Sequence, residues 1–67
     1  MSVGKVTQIS SESSESFEAA INQGITRAAK TIRNMKSAWI KEQEVRIEGG
    51  NVAGYRVHME ITFLLDD

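Results

Sequence analysis

Between residues 54 and 65, Tyr55, Val57, Met59, Ile61, Phe63 and Leu65 occupy every second position, the alternation of a strand that buries one face. Arg56, His58, Glu60 and Thr62 fall between them. They are polar but bulky, so the opposite face carries large hydrogen-bonding side chains. Upstream, Phe17, Ile21, Ile25, Ala28 and Ile32 recur at spacings of four, four, three and four, with Ala20, Gly24 and Met35 beside them. This predicts an amphipathic helix of about five to six turns.

The remaining elements are shorter. Residues 3–9, with Val3, Val6, Thr7 and Ile9, predict a first strand, broken by the serine- and glutamate-rich residues 10–16. Ser13 is the expected N-cap, its hydroxyl accepting a free amide of the first turn, with Glu15 and Glu18 at the positive end of the dipole. Arg27, Lys30, Arg33 and Lys36 are read as a solvated basic face matched to the negative end of that helix. Gly24 is costly in a helix interior and is expected where a strand or a neighbouring subunit approaches closely. Residues 38–48 predict a second strand with Trp39, Val45 and Ile47 on one parity and Glu42, Glu44, Arg46 and Glu48 on the other. Residues 48–54, with three glycines and an asparagine, supply a hairpin loop.

The order β-α-β-β constrains topology. A right-handed strand-helix-strand crossover makes the first two strands parallel, and the hairpin makes the third antiparallel to the second. Placing the third strand between the others gives a three-stranded antiparallel sheet of order 1-3-2, an α+β fold with one face around the single helix. The other face has no helix to cover it.

With only 67 residues, a chain buries roughly 60% of its unfolded surface, and folds of this size gain stability from disulfides, metals or self-association. The chain has no cysteine and one histidine, His58, which excludes a disulfide framework and a multi-histidine zinc site within one chain. Self-association is the expected route. Eight basic and nine acidic side chains give a net charge of −1, without the basic excess of a dedicated nucleic-acid binder. No run approaches the roughly 18 apolar residues needed to cross a bilayer, and the N-terminus lacks a secretory layout, so a soluble cytoplasmic protein without a membrane partner is expected. No acid, base and nucleophile set can be assembled from the chain, which points to binding rather than catalysis.

Ser13 ahead of Phe17-Glu-Ala-Ala-Ile21, the run Arg27-Ala-Ala-Lys-Thr-Ile-Arg33 and the ending Tyr55-Arg-Val-His-Met-Glu-Ile-Thr-Phe63 resemble the dodecins over nearly the whole chain. The resemblance implies a single dodecin-like domain over residues 1–67, assembled into a hollow homododecamer that in many members stores flavin (riboflavin or FMN) between subunits. In flavin-binding dodecins a tryptophan after the helix stacks on the flavin ring and a glutamine after the third-strand tyrosine bonds its edge. Here those positions fall on Ser37 and Arg56. Trp39 lies two residues later, about 6.6 Å along a strand, and the position where many members carry a phosphate-binding arginine is Leu64. Tyr55 followed by Arg56 is similar to a branch associated with calcium, for which Glu42, Glu44, Glu48 and Glu60 offer carboxylates that symmetry could gather.

The candidate ligand residues are therefore Ser37, Trp39, Arg56 and His58. Each has a second reading. Trp39 is a ligand platform or else an interface or core tryptophan. Arg56 clamps a ligand or pairs with Glu42 or Glu44. His58 is a polar residue of an inward or interfacial face, and Ser37, being small, leaves room where relatives hold a ring. The expected function is binding and storage of a small planar ligand, flavin first, with a cation-binding or purely structural shell as the alternative.

Overall fold

The computed structural model describes residues 2–65. Four elements follow in the order β1 (Gly4–Ser13), α1 (Phe17–Ala28), β2 (Met35–Glu48) and β3 (Asn51–Leu64). The sheet order is β1-β3-β2 with both pairings antiparallel, as the crossover and hairpin arguments require. The alternating strand lies in the centre. Its Val57, Met59 and Ile61 are buried and form the core with Ala20 of α1, flanked by Ile9, Phe17, Ile21, Ile25, Ala38 and Ile40. Leu65, at the end of the alternating row, lies beyond the strand and is exposed.

The helix meets the sheet through its small residues. Ala20, Gly24 and Ala28 are its buried positions, one turn apart on one stripe. A Cβ built on Gly24 would lie 2.8 Å from Met59 Cε and 2.9 Å from Ser11 Cβ, so the glycine accommodates the sheet's own strands. This contact also explains why β1 runs on through Ser10, Ser11, Glu12 and Ser13 where the serine cluster predicts a break. Ser11 stands opposite Val57, directly beneath Gly24, where the helix leaves room for only a small side chain, and Ser13 stands opposite Tyr55. Tertiary packing overrides local preference there.

Two further expectations about the helix are corrected. Its N-cap is Ser16, whose Oγ accepts from the Ala19 amide at 3.0 Å, whereas Ser13 Oγ accepts from the Glu15 amide and shapes the turn before it. The helix also ends at Ala28 after 12 residues, about three turns. Beyond it the amides of Lys30 and Thr31 donate to the carbonyls of Arg27 and Ala28, a tightened last turn. Asn34 then adopts a left-handed φ of 61° and reverses the chain into β2. Of the basic residues read as a helix face, Arg27 alone lies within α1. Ile32 and Met35 lie outside it, Met35 opening β2.

The hairpin is tighter than residues 48–54 suggest. Glu48 pairs with Asn51, leaving Gly49 and Gly50 as a two-residue turn with φ of 57° and 80°, the paired positive angles that suit a right-handed twist. The β2–β3 register shifts at three places, with Lys36 and Lys41 as extra residues in β2 and Ala53 as the extra residue in β3. The middle shift inserts Lys41 and exchanges the faces on either side of it. Trp39 therefore stands opposite Glu60 on the face away from the helix, while Val45 stands opposite Tyr55 on the helix face. Simple parity groups Trp39 with Val45. The bulge separates them and puts Trp39 on the side of Glu42 and Glu44. Among the described residues, no helix is long and apolar enough to cross a membrane.

Candidate functional site: the open face of the sheet

The face away from α1 is built from cross-strand rows centred on β3. Glu12, Arg56 and Glu44 form one row, Ser10, His58 and Glu42 the next, then Gln8, Glu60 and Trp39, then Val6, Thr62 and Ser37. All four candidate ligand residues, Ser37, Trp39, Arg56 and His58, thus share one face. Trp39 is 70% exposed, which removes it from the core of the subunit and leaves its indole available to a ligand or a neighbouring copy. Ser37 also lines an apolar depression of about 240 Å³ with Ile25, Met35, Lys36, Ala38 and Ile61. That depression lies on the helix side of β2, between Ile25 of α1 and the Ala38–Ile61 row, and is separate from the open face.

Arg56 is held mainly by Glu12. Its Nε and Nη2 donate to Glu12 Oε1 at 3.1 and 2.8 Å, while Nη1 donates to Glu44 Oε1 at 3.4 Å. The other oxygen, Glu12 Oε2, accepts from Arg46 Nε at 3.1 Å and pairs with Arg46 Nη2 at 3.0 Å. Arg46 reaches Glu48 as well, at 2.9 Å. The carboxylate of Glu12 fits between the two guanidinium groups because Gly54 lies beneath it, where a Cβ would come within 2.9 Å of Oε2. These interactions hold the Glu12 carboxyl below its ordinary value, through the hydrogen bond from Arg46 first and that from Arg56 second. Glu12 raises the Arg46 guanidinium in turn.

His58 contacts the same network, its Nε2 lying 3.0 Å from Glu44 Oε1. That hydrogen bond is the largest cause of the lowered Glu44 carboxyl, with the charge of Arg56 adding to it. Nearer Trp39, Glu60 accepts from Gln8 Nε2 at 3.1 Å and pairs with Lys41 at 3.6 Å. Sequence reasoning offers Glu42 or Glu44 as the partner of Arg56; Glu44 meets it and Glu42 does not, and Glu12 and Arg46 are missed. The missed signal is the even position of Glu12 in an extended β1: had the strand been continued through the serines, Glu12 would have fallen opposite Arg56.

An exposed indole beside hydrogen-bonding side chains is a stacking platform for a flat ring. For calcium, Glu44, Glu48 and Glu60 are already paired with cations. Among the described residues, no group of three or more His, Asp or Glu side chains within the chain could hold a metal ion.

The Dodecin family model matches residues 3–66. The chain belongs to the dodecin family. It is 30% identical to the calcium dodecin of Mycobacterium tuberculosis over 63 residues, 94% of this chain and 89% of that protein. The dodecin of Streptomyces davaonensis superposes with a TM-score of 0.93 at 32% identity, covering 98% of this chain and 97% of that one. The solved M. tuberculosis calcium dodecin, described as calcium chelating with a novel calcium-binding site, superposes with a TM-score of 0.83 at 28% identity, covering 96% and 91%. Family membership supports a small-ligand-binding role and the three-stranded sheet with its single helix.

Proposed function

We propose that this dodecin acts as a single unit over residues 1–67, assembles into a closed shell of twelve copies, and binds and buffers a small planar ligand on the open sheet face without turning it over. Flavin is the first candidate. The observation that carries the reading is the exposed Trp39 on the same face as Ser37, Arg56 and His58. Assembly is supported by apolar surface left uncovered in one copy: Ile47 is 65% and Val52 57% exposed at the hairpin end, and Val3 and Val6 are exposed on the β1 side. Symmetric closure would cover such patches and enclose the open sheet face between copies.

A second reading, binding of calcium, is favoured by the identity to the M. tuberculosis calcium dodecin. It would draw carboxylates from more than one subunit. Titration of the purified assembly separates the two. Quenching of riboflavin fluorescence on binding supports the first reading. Calorimetric binding of calcium by a protein that leaves riboflavin fluorescence unchanged supports the second and overturns the first.

A further inference from the structure

The open face carries two arginines, yet its geometry argues against anion binding. Glu12 occupies the Nε and Nη2 edge of both Arg46 and Arg56, and Glu44 and Glu48 engage their remaining nitrogens. Arg56 has five N–H donors, of which the contacts to Glu12 and Glu44 use three. The five charges of Glu48, Arg46, Glu12, Arg56 and Glu44 sum to −1. Along the strand, Arg56 lies about 13 Å from the Trp39 row, four residues at strand rise. That span is comparable to a ring ligand with its side chain extended. Leu64, an apolar residue, stands at the other end of β3. Around Trp39 itself Lys41 is paired with Glu60, and Glu42 adds a further carboxylate to the next row.

We infer that Glu12 is a specificity-determining residue of this face: by neutralising Arg46 and Arg56 over Gly54, it makes the face discriminate against phosphate-bearing ligands and favour uncharged planar ones. The inference rests on the ligand-binding reading for its biological meaning. Its physical basis is the Arg46–Glu12–Arg56 bridge alone. Glu12 acts on the ligand through the two guanidinium groups and is a positioning residue.

The test compares riboflavin with FMN on the assembled wild-type protein, Glu12→Gln and Arg46→Gln. Wild type should prefer riboflavin. Glu12→Gln takes the carboxylate away from the Nε and Nη2 edges of both guanidinium groups, leaving only their Glu44 and Glu48 contacts, and removes one negative charge, so the ratio of FMN to riboflavin affinity should rise roughly fivefold. Arg46→Gln changes the charge in the other direction and should lower that ratio, which keeps the inference testable should Glu12→Gln fail to fold. A ratio unmoved in the folded variants, or a wild-type preference for FMN, overturns it. Inorganic phosphate, followed by ³¹P NMR, supplies a flavin-independent arm. If no flavin binds to any of the proteins, the flavin reading fails, and stronger phosphate binding by Glu12→Gln than by wild type still supports the role of Glu12. Equal phosphate binding overturns it.

Discussion

Glu12 and Arg56 face each other across β1 and β3, and Glu12 Oε1 accepts from Arg56 at both 3.1 and 2.8 Å. The pair ties the end of the first strand to the central one at the point where the chain turns toward α1. It also fixes the orientation of a guanidinium at the position where flavin-binding relatives are expected to carry a glutamine. One interaction thereby joins the integrity of the sheet end to the chemistry of its open face.

Acid should reveal this pair. Glu12 and Glu44 both have carboxyls held below the ordinary value of 4.5. A lowered folded-state value means that their contribution is fully present above the unfolded value and is lost as pH falls through the folded one. The part of the acid destabilisation due to Glu12 should therefore appear below about pH 4.5 and be absent from Glu12→Gln. Urea melts at about pH 6 and pH 3 measure it, and equal losses in the two proteins would contradict the assignment. Because both groups are open to solvent, added salt should shrink the difference.

Gly24→Ala should destabilise the protein. Alanine improves helix propensity by about 1 kcal/mol, but the new methyl would press on Met59 and on Ser11 Cβ, which is anchored close to the backbone of β1. Overpacking of this kind costs about 1–3 kcal/mol, so the net effect is a lower melting temperature. A raised one would contradict the close packing of α1 on the sheet.

Met59→Ala should cost about 2–5 kcal/mol, since Met59 is 1% exposed and lies at the centre of the core. In a chain this short that threatens folding. Chemical denaturation measures it, with a wild-type midpoint as the contradicting result.

At the hairpin, Gly50→Ala should cost about 1–2 kcal/mol through backbone strain alone. Its φ is 80° and a Cβ would meet nothing within 4 Å. A thermal melt identical to wild type would show that the turn relaxes to another type.

The sheet order was legible because it follows from handedness and from one strongly alternating strand. The end of the helix was less so: the spacing that runs from Phe17 to Ile32 continues through a tightened turn, and the left-handed Asn34 that redirects the chain has no periodic signature. The face occupied by Trp39 could be read relative to Ser37, two residues away, but not relative to Val45, because the bulge at Lys41 leaves no mark on the alternation. Glu12 was hidden for a different reason. Serines favour turns, and their place in β1 is set by a helix that packs against them from outside the local sequence.

In the proposed reading the open face binds a planar ring through Trp39. Titration of riboflavin into assembled wild type, Trp39→Ala and the double variant Ser37→Trp with Arg56→Gln, followed by flavin fluorescence, tests it most directly. Wild type should quench flavin fluorescence, Trp39→Ala should lose about 0.5–1.5 kcal/mol of stacking, and the double variant should bind more tightly than wild type, each 1.4 kcal/mol appearing as about tenfold in Kd. Wild-type affinity undiminished in Trp39→Ala would contradict the claim.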